Sequence, residues 1–98
     1  MNSFIEKRQT KRISHKSIVT VEIGKHGHFI YGQMKNVSAN GLCLQADYAL
    51  NSGTMVNIKI DKLPYKSDRN KYRALVMWCE SVSDSEAMYS YEVGIKFL

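Results

Sequence analysis

The chain has 98 residues, of which 44% are hydrophobic, and a net charge of +5. This length predicts one domain with a modest core, and this hydrophobic content excludes a disordered chain. No apolar run approaches the roughly 20 residues that cross a bilayer, and the polar residues 1–16 lack the apolar region of a secretory signal. We therefore expect a cytoplasmic protein that does not insert into membranes.

The basic residues are concentrated at the N terminus. Residues 1–16 contain five of the 14 lysines and arginines and a single acidic residue, Glu6. Such a run is most often a solvated segment that keeps a protein soluble, whereas evenly spread basic charge favours non-specific nucleic-acid binding. We therefore interpret residues 1–16 as a flexible basic arm and residues 17–98 as a single folded domain.

Alternation of apolar and polar residues predicts six β-strands after the arm. β-branched and aromatic residues, which favour extended backbone, are frequent in the same segments. In chain order, the predicted strands cover residues 18–23, 29–35, 42–46, 55–60, 71–80 and 89–97. The fifth segment aligns Trp78 with Ala74 and Val76 on one face, so we expect Trp78 in the core.

Short polar turns join most of these segments, and no segment shows a helical period over about ten residues. Consecutive strands with short links pair in an antiparallel manner. Closure into a barrel removes the exposed edges of a small sheet. The sequence therefore predicts an all-β domain, a six-stranded antiparallel β-barrel with little or no helix.

The sequence contains no recognisable catalytic constellation. His15, His26 and His28 lie in the arm or in a predicted turn, and no nearby cysteine or carboxylate completes a metal-ligand pattern. Cys43 and Cys79 stand among apolar residues without CxxC spacing, which is typical of buried thiols in a reducing compartment. We therefore expect a binding protein rather than an enzyme, with no cofactor or metal.

Two segments supply complementary halves of an anion site. Arg8 and Arg12 lie four residues apart in the arm, and their guanidinium groups can bind phosphate or the O6/N7 edge of guanine and can stack on bases. The turn predicted over residues 36–41 contains Asn36, Ser38 and Gly41, and we expect Gly41 to take a positive φ. Each pattern alone is weak, because paired arginines and Asn/Ser/Gly turns are both common.

Together, and followed by a Val-Gly-Ile-Lys-Phe ending, these patterns resemble those of the PilZ family, whose members bind cyclic di-GMP through RxxxR and (D/N)xSxxG motifs. The resemblance covers most of the chain and implies a six-stranded antiparallel barrel. It implies that Arg8 and Arg12 contact phosphate and guanine. It also implies that Asn36 and Ser38 hydrogen-bond to the guanine edge or phosphate, and that Gly41 keeps the turn tight and the backbone close to the ligand.

The resemblance further implies a mechanism. The ligand would be cyclic di-GMP, and the arm would become ordered over it and signal to an effector protein that the sequence does not identify. Lys7 and Lys11 are possible helpers on charge alone, and an interpretation as solvated lysines fits them equally well. Many PilZ domains carry a helix after the last strand, and we expect none before Leu98.

Two other functions stay open at this point. A PilZ-like domain that does not need the nucleotide would serve as a protein-interaction module in motility or surface-structure assembly, although the intact motif argues against this. A binder of single-stranded nucleic acid needs aromatic residues interleaved with basic ones along a strand face. Here the basic cluster and the tyrosines lie in different segments, so we expect no specific nucleic-acid partner.

Overall fold

A computed structural model of the chain describes residues 13–24, 27–64, 66–67, 69–84 and 86–98, with the side chains described from Lys16 onward. The described residues form six β-strands. In chain order these are β1 (Ile13–Ile23), β2 (His28–Ser38), β3 (Gly41–Ala46), β4 (Met55–Ile60), β5 (Lys71–Ser81) and β6 (Tyr91–Phe97).

The strands close into a barrel in the order β1-β2-β3-β6-β5-β4, and every neighbouring pair is antiparallel. This architecture confirms the all-β, six-stranded antiparallel barrel that the alternating pattern predicts. No part of the described chain is helical, and it therefore contains no helix that could span a membrane.

The core fills the inside of the barrel with side chains from all six strands. β4 shows the rule most clearly, because Val56, Ile58 and Ile60 are buried while the residues between them are exposed. This alternation follows from the pleat, which points successive side chains to opposite faces of a strand. The largest fully buried side chains include Met34, Leu42, Leu44, Ile58 and Ile60.

Two strands are longer than the sequence predicts by more than one residue. β1 begins at Ile13 rather than at Ile18, and β2 continues to Ser38 rather than ending at Lys35. The extra part of β1 pairs with β2 but not with β4. The pairing between β1 and β4 begins at Val19 of β1. Polar residues in this part of β1 and at the end of β2 interrupt the alternation of apolar and polar residues. The pattern therefore does not mark these segments as strands, although their backbone is extended.

The prediction that Trp78 lies in the core is wrong. The register between β5 and β6 shifts between Val76 and Trp78, which marks a bulge around Met77. One extra residue in a strand moves the following side chains to the opposite face. Trp78 consequently lies on the outside of the barrel, where 40% of it is exposed.

We expect Leu44→Ala to destabilise the barrel by about 2–5 kcal/mol, because Leu44 is completely buried and the shortened side chain leaves a cavity. Urea denaturation followed by circular dichroism measures this change. Met88→Ala is the control: Met88 is 83% exposed, so its truncation should change the free energy of unfolding by no more than about 0.5 kcal/mol. Equal effects of the two substitutions would contradict the assigned core.

Candidate ligand-binding site

The polar motif forms the junction between β2 and β3. Ser38 pairs with Gly41, so only Ala39 and Asn40 form the turn, while Asn36 belongs to β2. The turn predicted over residues 36–41 is therefore shorter than expected. The Phe97 N–H donates to the carbonyl of Asn40 at 2.8 Å, which fastens the turn to the end of β6.

The Ser38 hydroxyl group forms hydrogen bonds within the turn. Only 4% of Ser38 is exposed. Its Oγ accepts a hydrogen bond from the Asn40 N–H at 3.3 Å and donates to the Gly41 carbonyl at 3.4 Å. A hydroxyl has one donor and two acceptor positions, so one acceptor position remains for an N–H group of a ligand or side chain.

Gly41 is required for a reason other than the one that the sequence predicts. Among the described residues, positive φ occurs only at Gly24, Gly27 and Gly53, so the expected positive φ at Gly41 is wrong. A Cβ at Gly41 would instead collide with the backbone carbonyl of Ile95 on β6. The missing side chain therefore permits β3 and β6 to approach closely beside the turn.

Asn36 belongs to a row of residues that crosses the outside of the barrel. The strand registers pair Asn36 with Cys43, Cys43 with Gly94, and Gly94 with Trp78. We call these four residues the outer row. Three inter-strand steps separate its two ends by about 14 Å.

The indole ring of Trp78 lies over Gly94. A Cβ at Gly94 would collide with the ring, so only glycine leaves room for this arrangement. The ring therefore extends along the outer row toward β3. The distance between the ring and Asn36 is consequently shorter than the distance between the two backbones. Its exposed face is a flat apolar surface of the kind on which nucleic-acid bases stack.

A depression of about 290 Å³ lies at this place. Its lining residues come from the motif turn, the β5 bulge and β6, namely Ser38, Asn40, Gly41, Met77, Trp78, Gly94, Ile95, Lys96 and Phe97. Pockets for complete small ligands typically have volumes of about 300–1,000 Å³. This depression therefore suits part of a larger ligand, such as one base of a dinucleotide, with the remainder outside the barrel wall.

Two lysines differ in their ion pairing: Lys96 lines the depression, and Lys35 lies on β2. Lys96 pairs with Gly41 across β3 and β6 and forms no ion pair with any described residue. Lys35 Nζ lies 3.0 Å from Glu92 Oε2, to which Gln45 also donates a hydrogen bond at 3.3 Å. The hydrogen bond to Glu92, together with the charge of that carboxylate, raises the pKa of Lys35 above its ordinary value. Glu92 therefore neutralises Lys35, whereas the positive charge of Lys96 beside the depression has no ion-pair partner among the described residues.

The predicted arginines lie outside the described residues, as do Lys7 and Lys11. The part of β1 that follows them is described. Ile13, the residue after Arg12 in the sequence, pairs with Val37, and Ser14 pairs with Asn36. The chain therefore enters the barrel directly beside the motif residues.

The barrel has a second depression, on the outer side of β1 and β4. Its volume is about 410 Å³, and its lining includes Thr20, Glu22, Phe29, Asn57 and Lys59 but no residue of the motif. Within the described ranges, no group of three or more His, Cys, Asp or Glu side chains could hold a metal ion.

Sequence reasoning missed Trp78, Gly94 and Lys96 as site residues. Gly94 carried a usable signal, because glycine inside a strand often marks a close approach of another group. For Trp78 the alternating pattern favoured the core over a stacking role, because the bulge that reverses its direction has no clear mark in the sequence. Lys96 could be placed only once β6 was known to pair with β3 at Gly41.

Comparisons with known proteins agree with this architecture. The sequence profile of the PilZ domain matches residues 6–98. The Bacillus subtilis inhibitor of motility MotI/DgrA has a TM-score of 0.71 and 20% identity over 94% of this chain and 42% of its own. The PilZ domain of Escherichia coli YcgR with c-di-GMP has a TM-score of 0.71 and 15% identity over 94% of this chain and 78% of its own.

A third solved structure is MrkH, described as a c-di-GMP-dependent transcription regulatory factor. It has a TM-score of 0.62 and 12% identity over 93% of this chain and 43% of its own. The chain thus spans less than half the length of MotI and of MrkH. No curated protein sequence matches it. At these identities the structural likenesses establish the fold alone.

We expect Gly94→Ala to displace the indole ring of Trp78 into solvent, because the added methyl group occupies the position of the ring. Trp78 is the only tryptophan, so its fluorescence reports this change directly. The emission should shift to longer wavelength and become more accessible to acrylamide quenching.

Gly53→Ala is the matched control for this substitution. Gly53 has a φ of 88°, and no atom lies within 4 Å of the place that a Cβ would take, so alanine there strains the backbone without touching Trp78. It should cost about 1–2 kcal/mol of stability and leave the emission unchanged. An unchanged emission in folded Gly94→Ala protein would contradict the packing of Trp78 over Gly94.

Proposed function

The chain is a member of the PilZ domain family, and from this premise we propose that it binds cyclic di-GMP and acts as a cytoplasmic adaptor. The observation that carries the proposal is the placement of Asn36 and Ser38 on the same outer surface as Trp78. Cyclic di-GMP offers two guanine bases and two phosphates, and this surface has groups suited to both. The proposed role is binding and not catalysis.

Trp78 stacks on one guanine of the ligand in this proposal. Its indole face is exposed, and Gly94 keeps the space next to it free of side chains. The adjoining depression of about 290 Å³ receives one base and leaves the rest of the dinucleotide on the surface. Stacking of a base on an aromatic side chain is worth about 1–3 kcal/mol.

Ser38 hydrogen-bonds to the ligand from the lining of this depression, and Asn36 does so from the neighbouring part of β2. The free acceptor position of Ser38 suits an N–H of guanine, because its hydroxyl proton is already used within the turn. The Asn36 amide can both donate and accept, so it can bind either a base edge or a phosphate. Lys96 adds positive charge beside them, which favours a phosphate.

Arg8 and Arg12 provide the phosphate and guanine contacts that the family motif assigns to them. The pairing of Ile13 with Val37 supports this, since the residue after Arg12 already lies next to the motif. β1 begins at Ile13, so the arm is shorter than the predicted residues 1–16. We propose that the residues before β1 act as an arm that becomes ordered when it covers the ligand. The covered surface then differs from the free one, and an effector protein can distinguish the two states.

Isothermal titration calorimetry with cyclic di-GMP tests the proposal. We expect a measurable heat of binding and an affinity that falls as the salt concentration rises, because several phosphate contacts are ionic. Arg12→Ala and Asn36→Ala should each weaken binding, and for Arg12 the loss of a charge-assisted contact predicts about ten- to hundredfold. Trp78→Ala should weaken it by about five- to hundredfold, and Trp78→Phe by less, because the phenyl ring still stacks.

Lys59→Ala is the control for removing a positive charge. Lys59 is exposed on β4 and lines the depression on the outer side of β1 and β4. Its removal should leave the affinity unchanged within about twofold. No binding heat for the unmodified protein at low salt and micromolar concentrations would refute the proposal and favour a nucleotide-independent interaction module. Binding that tolerates both Arg12→Ala and Asn36→Ala would refute the assigned site.

A further inference from the structure

One stretch of β2 has a strand on only one side. Its first residues, 28–31, pair with β1, but pairing with β3 starts at Gly32, which lies opposite Ala46. No backbone hydrogen bond from another described residue reaches 28–31 on the β3 side. The barrel is therefore closed along most of its length, but the beginning of β2 exposes an edge.

The chain after β3 does not cover this edge. The Asp47 carboxylate accepts a hydrogen bond from the Ser90 N–H at 3.2 Å, next to the start of β6. Further along, the Gly53 N–H donates to the Val76 carbonyl on β5 at 2.7 Å. The connection from β3 to β4 thus runs away from β2 across the end of the barrel.

Within the part of the chain that the structure describes, the exposed edge lacks the features that usually protect such edges from pairing. Proteins shield open edges with charged side chains, proline, bulges or a covering segment. The sequence here is His-Phe-Ile-Tyr, without proline or a formally charged residue, and its pairing with β1 is regular. Phe29 is 51% exposed and Tyr31 is 67% exposed, so two aromatic side chains stand beside the open backbone.

We propose that this edge pairs with the same edge of a second copy of the chain, forming an antiparallel β2–β2 dimer with Phe29 on the two-fold axis. With a two-fold axis perpendicular to the sheet, even-numbered residues must face even-numbered residues, and odd-numbered residues must face odd-numbered ones. This holds because the side chains of two facing residues lie on the same face of the sheet. An axis at Ile30 would place His28 opposite the other copy's Gly32, a position that Ala46 occupies. An axis at Phe29 leaves no β2 residue of the other copy opposite Gly32, because β2 begins at His28.

This register is also chemically self-complementary. It places Phe29 opposite Phe29 and His28 opposite Ile30, so no like charges face each other. Tyr31 of each copy lies diagonal to the other copy's Phe29, within reach of an aromatic contact. Direct and diagonal aromatic pairs stabilise antiparallel strands, and the open backbone groups gain hydrogen bonds at the same time.

The size of the contact predicts a weak dimer. A short strand pair with two exposed aromatic side chains on each copy buries less than the about 1,200 Å² that marks a stable interface. We therefore expect a dissociation constant above about 1 μM. The edge and Ser38 lie at opposite ends of β2, about 30 Å apart along the strand, so dimer formation does not use the proposed nucleotide site.

Sedimentation equilibrium over a range of protein concentration up to about 1 mM tests the dimer. The unmodified protein should approach the dimer mass as concentration rises. Phe29→Lys and Phe29→Glu should each remain monomeric, because like charges then face each other across the axis. An equimolar mixture of the two variants should associate again, because a lysine of one copy faces a glutamate of the other.

Met88→Lys is the matched control, since it places the same charge at a residue that is 83% exposed and outside the six strands. It should associate like the unmodified protein. Trp78 fluorescence verifies that each variant is folded. A monomer at every concentration, association of Phe29→Lys equal to that of the unmodified protein, or failure of the charge-swapped pair to associate would each overturn the proposal.

Discussion

The close approach of β3 and β6 beside the motif turn is the constraint on which the proposed site depends. It requires a residue without a side chain at Gly41, where a Cβ would meet the Ile95 carbonyl. Gly94 has a related role on β6, because its missing side chain makes room for the indole ring of Trp78. These two glycines leave a shallow surface between hydrogen-bonding groups and an aromatic face. A larger residue at Gly41 would push β3 away from β6, and one at Gly94 would displace the indole ring.

The barrel registers bring together residues that are far apart in the sequence. Asn36, Cys43, Gly94 and Trp78 form one row only because β3 lies between β2 and β6, and β6 lies between β3 and β5. The same registers place Ile13 beside Val37, so the basic N-terminal segment precedes a strand that borders the motif. This placement supports the proposal that the arginine pair and the distant polar turn act on one ligand.

The sequence was most informative where burial follows the pleat without interruption. β4 is the clear example, because the alternation of Val56, Ile58 and Ile60 predicts both the strand and its inner face. The same reasoning failed for Trp78, where a bulge reverses the face, and for Asn36, where a polar strand end looks like a turn. Both failures lie at the proposed site, since a binding surface needs polar and aromatic groups outside the core.

The motif turn and Trp78 bind the same molecule in the proposed site, and this shared ligand is the central claim. Nuclear magnetic resonance of ¹⁵N-labelled protein titrated with cyclic di-GMP tests it residue by residue. We predict that the largest shifts fall on the amides of Ser38 and Gly41 and on the indole N–H of Trp78. Shifts confined to the β1–β4 side, at residues such as Thr20 and Asn57, or no shifts at saturating nucleotide, would contradict it.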